Sequence, residues 1–327
     1  MMECTVSTVH WPLKTPFRIA GATMLDVPVI QVELRDAAGN KGRGEAAGID
    51  YDGETPASMT RQISAIQHLL RNQLKTEELL AMLPRGGARN ALDCALWDLR
   101  SKQTGLRAAA RAGLPPLRTL TTAMTIGLGD DHQTRAEARA AHHAPLLKIK
   151  VDAERHLDAI RIVREEAPQA RLIIDANGSW SRPLLEQLSP ALRANNVELI
   201  EQPVARGDDD SLLDLDYPIP FAADESCTDT ASIAALRGRY RYLNIKLDKC
   251  GGLTEALRMV ERGKELGFEL MVGNMCGSSL AMAPAFLVGQ RCRYVDLDGP
   301  QLQSRDCEQA MRCDNFLLYP PTPALWG

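Results

Sequence analysis

The sequence predicts an α/β protein in which a barrel of eight parallel strands follows a smaller α+β region. From about residue 120 onward, short β-rich runs alternate with segments of helical periodicity, which is typical of repeated βα units. Eight such units close most naturally into a barrel. A doubly wound sheet is disfavoured because no Gly-x-Gly-x-x-Gly motif opens a βα unit. The eight runs lie near residues 121–127, 145–151, 171–176, 197–201, 219–224, 241–247, 269–273 and 293–298.

The residues before this alternating pattern predict a three-stranded sheet followed by helices. Strands are expected at 4–11, 27–35 and 41–46, and residues 37–40 suit the turn of a hairpin. Helices are expected from Pro56 to about Arg71 and over 88–102, where apolar residues recur on one face. In the barrel, helices are expected at 154–166, 182–194 and 254–266.

Composition and charge narrow the classes of partner. The 327 residues are 45% hydrophobic and 24% charged, as in an ordinary globular protein. The net charge is −4 without a basic run, which disfavours nucleic acid and anionic lipid as partners. The longest apolar stretch, residues 281–289, is shorter than the roughly 20 residues of a membrane helix. We therefore expect a small-molecule partner, no nucleic acid and no membrane, and homo-oligomerisation is compatible with this composition.

The cysteines and the N-terminal residues predict a cytoplasmic protein. Eight cysteines are scattered without a Cys-x-x-Cys pair, which argues against a zinc site and a disulfide framework. No basic segment followed by an apolar segment opens the chain, so we expect no secretory signal.

Charged side chains close five of the predicted strands. Their spacings are 25, 26, 23 and 22 residues from Lys150 onward, each close to one βα unit. Because the carboxyl ends of barrel strands meet at one face, these groups should converge on one mouth. A single acid at a strand end is more often a helix cap or a rim residue, but buried charges in such number indicate function. The residues are Lys148, Lys150, Asp175, Glu201, Asp224 and Lys246.

These residue types favour metal-assisted proton transfer. Asp175, Glu201 and Asp224 form a hard oxygen site that suits Mg²⁺ best, with Mn²⁺ as an alternative ion. Lys150 and Lys246 approach from opposite sides and are expected to act as bases. A neighbouring ammonium and a divalent cation would lower the pKa of a lysine towards the working pH.

With this arrangement of strand-end charges the chain resembles the enolase superfamily, in its muconate-lactonizing subgroup, over nearly its whole length. The resemblance implies a modified TIM (β/α) barrel at 111–306 with an N-terminal α+β capping domain at 1–110, onto which residues 307–327 fold back. Residues 88–99 are similar to the family's connection between the two domains. The resemblance also implies lysine bases and Mg²⁺ stabilising an enediolate. Lys148 would assist as an electrophile, and Asn177 and Lys249 would support the site.

Asp296 and Asp298, at the end of the eighth predicted strand, resemble the Asp-x-Asp of the dipeptide epimerases, which are represented by L-Ala-D/L-Glu epimerase. There the two carboxylates receive the α-ammonium group of the substrate, and an alternating strand places both on one face. The implied reaction is a 1,1-proton transfer at the α-carbon of the C-terminal residue of an L,L-dipeptide.

Three other functions stay open on sequence alone. A lyase or cycloisomerase such as o-succinylbenzoate synthase or muconate lactonizing enzyme shares the lysines and metal ligands but needs no ammonium site. A Schiff-base aldolase uses a nucleophilic barrel lysine. A non-catalytic barrel would be expected to lose the charges that this chain retains.

Two capping loops, at 19–26 and 46–55, are expected to select the substrate side chain. Members that accept Ala-Glu place an arginine in the first loop, whereas this chain has Met24 and its neighbours there. The second loop carries Asp50 and Asp52, so an anionic side chain should be repelled and L-Ala-L-Glu should not be the best substrate. An inward-turned Arg18 would compensate.

Overall fold

A computed structural model describes residues 2–19, 22–70 and 74–327. Among these residues no helix is both long enough and apolar enough to cross a bilayer. The N-terminal part is an antiparallel sheet in the order β1-β2-β3, packed against helices. Its elements are β1 (Glu3–Ile19), β2 (Ala22–Arg35), β3 (Lys41–Ala46), α1 (Pro56–Ile66), α2 (Thr76–Met82), α3 (Gly87–Thr104) and α4 (Ala108–Arg111).

Most of the remaining chain forms an eight-stranded parallel sheet whose strands follow one another from β5 to β12, with helices in the connections, and β13, β14 and β4 form a separate three-stranded sheet. This confirms the predicted fold class. The elements are β4 (Leu120–Thr121), β5 (Met124–Ile126), α5 (Asp131–Ala140), β6 (Leu146–Lys150), α6 (Leu157–Glu166), β7 (Arg171–Asp175), α7 (Arg182–Ala194), β8 (Val197–Glu201), β9 (Phe221–Ala223), β10 (Tyr242–Ile245), α8 (Leu247–Cys250), α9 (Leu253–Glu265), β11 (Glu269–Val272), α10 (Ser279–Gly289), β12 (Tyr294–Val295), α11 (Gly299–Leu302), β13 (Cys313–Asp314) and β14 (Leu317–Leu318).

The sheet curls so that its two ends meet. Ala123, next to β5, donates its backbone N–H to the carbonyl of Val295 in β12 at 2.8 Å. Inside the curl, one buried side chain from each of the eight chain segments forms an apolar layer: Ala123, Leu146, Ile173, Leu199, Ala222, Tyr242, Met271 and Tyr294. Because side chains alternate along a strand, the residues two or four positions further on face the same interior. Those positions hold the charged residues of the site.

The capping sheet packs closely on α3. A Cβ atom at Gly44 in β3 would lie 2.1 Å from the carbonyl oxygen of Ala91, so only glycine permits this approach. The last residues of the chain also lie against α3. Trp326 Nε1 donates to the Cys94 carbonyl at 3.0 Å, and the Gly327 N–H donates to Asp98 Oδ1 at 2.7 Å.

Several predicted boundaries change for local reasons. The predicted first capping loop is largely hairpin, because β1 and β2 stay paired as far as Ile19 and Ala22. α6 begins at Leu157 and not at 154, because Asp152 Oδ1 accepts the N–H groups of Glu154 and Arg155 and forms a turn there. α1 ends at Ile66 and is followed by a 3₁₀ turn, and the predicted end at Arg71 lies outside the described residues.

Candidate active site

A cavity of about 850 Å³ opens at the carboxyl ends of the barrel strands, beneath the capping segments. Its deep wall carries all three predicted lysines, together with Asp224 and the pair Asp296 and Asp298. Met24, Asp50 and Tyr51 line it from the capping side. Asp175 and Glu201 are fully buried directly behind the wall. The structure thus brings the predicted strand-end residues to one place.

Strand register explains this convergence. Lys150 at the end of β6 lies opposite Asp175 at the end of β7, and Asp175 lies opposite Glu201 at the end of β8. Asp224 and Lys246 directly follow β9 and β10. Parallel pairing of successive strands therefore places these ends at one level.

Lys148 lies at the centre of the buried charges. Its Nζ is 3.0 Å from Asp175 Oδ2, 2.8 Å from Glu201 Oε2 and 2.9 Å from Asp296 Oδ2. Burial lowers the pKa of this ammonium, but the three carboxylates outweigh burial and raise the pKa well above its ordinary value. Lys148 is therefore held as a cation.

Lys150 is oriented by two acceptors. Its Nζ donates to Asp175 Oδ2 at 2.6 Å and to Asn177 Oδ1 at 3.0 Å. Asn177 in turn donates its Nδ2 to Glu225 Oε1 at 3.0 Å. This places Asn177 in the supporting position that the sequence predicts for it.

Lys246 and Lys249 share Asp224. Lys246 Nζ is 2.7 Å from Asp224 Oδ2, and Lys249 Nζ is 2.5 Å from Asp224 Oδ1. Lys249 is 1% exposed and does not reach the cavity wall, which is consistent with a supporting position.

The expectation of a lowered lysine pKa is not met by the charges of the chain itself. Burial lowers the pKa of Lys246, but the adjacent Asp224 carboxylate outweighs burial, and the pKa lies above its ordinary value. The neighbouring Lys148 ammonium lowers the pKa of Lys246, as predicted, but the direct contact with Asp224, which the sequence does not reveal, raises it. Positive charge bound to Asp224 would act in the predicted direction.

The donor set fits a divalent cation. Burial and the neighbouring Asp175 raise the pKa of Glu201 to about 8, and a cation bound beside this carboxyl group would lower that pKa. Among the described residues no three His, Cys, Asp or Glu side chains are already arranged around an ion position, since the predicted ligands are bound by lysines. More carboxyl groups than lysines lie together here: Asp175, Glu201, Asp224, Glu225, Asp296 and Asp298 beside Lys148, Lys150, Lys246 and Lys249.

Asp296 and Asp298 lie side by side at the end of β12, as predicted. Asp298 Oδ2 accepts the Thr125 N–H at 2.8 Å, whereas Asp296 Oδ1 is buried without a hydrogen-bond partner among the described residues. Burial and the charge of Asp296 raise the pKa of Asp298 to about 6. A buried acceptor without a donor is costly, so this pair is suited to receive a cation.

The second capping loop is less acidic than its sequence implies. Asp52 is bound by Arg206 Nη2 at 2.8 Å and lies 3.7 Å from Arg85 Nη2, and it is not among the described residues that line the cavity. The predicted contact between Asp52 and substrate is therefore corrected: this carboxylate joins the loop to the barrel. Asp50 is exposed at the rim, and Met24 lies on β2. The side chain of Arg18 lies outside the described residues.

Several residues of the site, Glu225 among them, were not predicted from the sequence. Tyr51 lies over the pocket near Asp224 and Lys246, and Arg206 lies 6.0 Å from the Tyr51 ring. Asn244 Nδ2 donates to Glu201 Oε1 at 2.7 Å, and Asn274 lines the cavity. The position of Asn244, two residues before Lys246 on the same strand face, was a usable signal. Loop residues such as Arg206 give no periodic signal.

Comparison with known proteins gives the family. A sequence model described as "Enolase C-terminal domain-like" matches residues 131–322, and one described as "Mandelate racemase / muconate lactonizing enzyme, N-terminal domain" matches residues 1–110. L-Ala-D/L-Glu epimerase of Escherichia coli (strain K12) is 40% identical over 92% of this chain and 94% of its own length. N-acetyl-D-glutamate racemase of Pseudoalteromonas sp is 39% identical over 85% of this chain and 88% of its own length.

Solved structures agree with these matches. An enolase family member from Agrobacterium tumefaciens with homology to dipeptide epimerases, bound to sodium and L-Ala-L-Glu, is 39% identical, with a TM-score of 0.95 over 100% of both chains. A dipeptide epimerase from Methylococcus capsulatus, complexed with Mg and L-Arg-D-Lys, is 32% identical, with a TM-score of 0.90 over 97% of this chain and 96% of that chain. These matches confirm the resemblance seen in the sequence. The chain belongs to the mandelate racemase / muconate lactonizing enzyme family of the enolase superfamily.

Proposed function

We propose that this protein is an isomerase that epimerises dipeptides, inverting the α-carbon of the C-terminal residue of an L,L-dipeptide. The observation that carries the proposal is the placement of Lys150 and Lys246. Lys150 ends β6 and Lys246 directly follows β10. These strands are four apart in an eight-stranded barrel, so the two lysines face each other across one cavity. A substrate carbon held between them has a proton acceptor on one face and a donor on the other.

Asp296 and Asp298 hold the amino end of the dipeptide in this proposal. Two adjacent buried carboxylates, one with an unpartnered oxygen, complement the three N–H donors of an ammonium group. The ammonium site lies at β12, four strands from the β8 position of Glu201. Asp296 Oδ2 and Glu201 Oε2 nevertheless contact the same Lys148 Nζ, at 2.9 Å and 2.8 Å, so the ammonium site and the metal ligands border one lysine.

The proposed metal ligands are Asp175, Glu201 and Asp224, which would exchange their lysine partners for the ion. A bound Mg²⁺ would supply positive charge beside the substrate carboxylate and so favour loss of the neighbouring α-proton. Magnesium and dipeptides occur together in the Methylococcus capsulatus structure, and sodium with L-Ala-L-Glu in the Agrobacterium tumefaciens structure.

The lysines carry the proton in this mechanism. Neutral Lys150 Nζ takes the α-proton from one face, and the electron pair of the broken C–H bond moves towards the substrate carboxylate. The Lys246 ammonium then gives a proton to the opposite face, which forms a new C–H bond and completes the inversion. The reverse direction exchanges the two roles. Lys148, held as a cation among carboxylates, offsets the negative charge that develops.

The experiment is isotope exchange with defined substrates. The protein is incubated with Mg²⁺ in D₂O and pooled L,L-dipeptides, including L-Ala-L-Glu, and mass spectrometry and chiral separation follow the products. One deuterium at the C-terminal α-carbon, with formation of the L,D-dipeptide, is expected. Absence of exchange in every dipeptide would refute the proposal.

N-acetylated substrates separate this function from that of the N-acetyl-D-glutamate racemase relative, whose named substrate has no free ammonium group. We expect N-acetyl-L-glutamate and N-acetyl-L-Ala-L-Glu to exchange much more slowly than L-Ala-L-Glu, because Asp298 and the unpartnered Oδ1 of Asp296 would then receive no ammonium group. Faster exchange of N-acetyl-L-glutamate would instead favour racemisation of N-acyl amino acids.

A further inference from the structure

Glu45, at the end of β3, is a buried carboxylate that the proposed mechanism does not use. It is 1% exposed and receives four hydrogen bonds. Two come from neighbouring strands of the capping sheet: Trp11 Nε1 at 3.3 Å and Gln31 Nε2 at 2.7 Å. The other two come from the barrel, from the N–H of Ser278 at 2.6 Å and its Oγ at 2.8 Å. One carboxylate thus joins three strands of the cap to the first turn of α10.

A short chain segment connects Ser278 directly to the active site. Residues 274–278 form a tight segment in which Asn274 Oδ1 accepts the Cys276 N–H at 2.7 Å. Gly277 has φ +115°, and a Cβ there would lie 3.1 Å from Glu45 Oε1, so the segment is packed onto the carboxylate. Asn274 Nδ2 then donates to the Asp296 carbonyl at 2.7 Å and approaches Asp298 Oδ1 at 3.4 Å.

We propose that Glu45 is a positioning residue for substrate binding: through Ser278 and residues 274–278 it holds Asn274 against Asp296 and Asp298, and so sets the geometry of the ammonium site. The inference rests on the proposed function. It also means that the ammonium site binds the amino end of the substrate correctly only when the capping sheet is packed against the barrel. Each of the four contacts at Glu45 supplies a donor, so an ionised carboxylate satisfies them and an amide does not.

The test compares Glu45→Gln with Asp306→Asn. The glutamine keeps the size of the side chain but presents an N–H₂ group to donors, which should loosen residues 274–278. Asp306 is the matched control, because it accepts the N–H and Oγ of Ser279 in the same turn of α10 and is not among the described residues that line the cavity. Each variant is assayed with L-Ala-L-Glu and with propionyl-L-Glu, which has the same skeleton without the ammonium group.

Glu45→Gln is expected to raise KM for L-Ala-L-Glu about tenfold, with kcat changed less than about threefold, and to leave kcat/KM for propionyl-L-Glu nearly unchanged. Preference for the ammonium substrate should therefore fall about tenfold in this variant and stay constant in Asp306→Asn. Equal losses on both substrates, or a lowered Tm with unchanged preference, would overturn the inference.

A second variant keeps the inference testable if Glu45→Gln fails to fold. Gln31→Met removes the 2.7 Å donor on the capping side and leaves the contact between Glu45 and Ser278 in place. It should lower the same preference by a smaller factor, and an unchanged preference would count against Glu45. Failure of the proposed function gives a different result from failure of this inference. If the proposed function is wrong, the wild-type protein itself will show no preference for L-Ala-L-Glu over propionyl-L-Glu.

Discussion

At the scale of single residues, the site depends on how lysines and carboxylates share buried charge. Lys148 touches three carboxylates, whereas Lys150 touches Asp175 and an amide oxygen of Asn177. Lys148 is thereby fixed as a cation, and Lys150 and Lys246 remain at the cavity wall on facing strands. The proposed mechanism therefore gives proton transfer to Lys150 and Lys246, which face each other across the cavity, and charge compensation to Lys148.

Replacing either base should abolish most of the activity. We expect Lys150→Ala and Lys246→Ala each to lower epimerisation by roughly 10²- to 10⁴-fold, the usual contribution of a positioned acid or base. In each variant, deuterium exchange at the substrate α-carbon from the face of the remaining lysine should be reduced less than inversion. The control is Lys264→Ala, an exposed lysine on α9. Normal epimerisation by Lys246→Ala would end the two-base mechanism.

Asp93 on α3 should make stability depend on pH. Burial raises the pKa of this carboxyl from 3.8 to about 7, and the hydrogen bonds from Thr254 offset burial only in part. Between about pH 4 and 7 the folded protein therefore keeps a proton that the unfolded chain releases, so stability falls as pH rises through this window. For one such group, the free energy of unfolding falls by at most about 1.4 kcal/mol for each pH unit in this window.

Asp93→Asn should flatten this dependence. Urea unfolding at pH 5 and at pH 7 should show a smaller loss of stability in the variant than in wild type, while Asp158→Asn, at an exposed residue, should leave the loss unchanged. An identical pH dependence in Asp93→Asn and wild type would show that Asp93 does not titrate in this range.

At the scale of elements, the second capping loop is held to the barrel by charge. Asp52 pairs with Arg206, which follows β8, and the neighbouring Tyr51 lines the cavity. The Gly48 N–H at the other end of the loop donates to Asp248 Oδ1 at 2.8 Å. Of Asp50 and Asp52, only Asp50 lines the cavity, so the predicted repulsion of anionic substrates depends on Asp50; Glu54, a third acid of this loop, also lines the cavity.

Variants of the two acids should separate loop anchoring from side-chain selection. Asp52→Asn weakens the pair with Arg206, so KM should rise about three- to tenfold for Ala-Glu, Ala-Leu and Ala-Lys alike. Asp50→Asn should change the ratios between these substrates, with Ala-Glu gaining relative to Ala-Lys. A charge-dependent effect of Asp52→Asn would contradict the anchoring role. A clear wild-type preference for Ala-Glu would refute the sequence-based prediction and turn attention to Arg18.

At the scale of the whole molecule, the barrel concentrates more negative than positive charge at its mouth. Asp175 and Glu201 lie at the ends of neighbouring strands, where a divalent cation would relieve the repulsion between them. Ion binding should therefore stabilise the fold as well as support activity, because the unfolded chain offers no such site.

Metal removal tests both consequences. Exhaustive EDTA treatment should abolish epimerisation, and Mg²⁺ should restore activity and raise Tm in wild type. Asp175→Asn should lose the Tm response, whereas Asp158→Asn should retain it. Full activity after EDTA would exclude the metal assignment.

Much of the barrel and its chemistry was readable from the chain. Alternation along each strand and the near-constant spacing of βα units place Lys150, Asp175, Glu201, Asp224 and Lys246 at one mouth, since both patterns are local and periodic. Helix 182–194 was predicted at its observed bounds, and in the structure Ser181 caps it and Pro183 lies in its first turn. The domain boundaries and the roles of the site residues stay predictions.

Contacts between distant segments were not readable in this way. The Asp52–Arg206 pair, the approach of Gly44 to α3 and the four donors around Glu45 join residues from 14 to 233 positions apart. The lysine pKa directions also follow from such contacts, since Lys246 lies against Asp224 only once β9 and β10 are paired. Periodicity in a sequence reports which face of an element is buried. Which residues meet across that face, and therefore which charges are neutralised, depends on packing that only the folded chain creates.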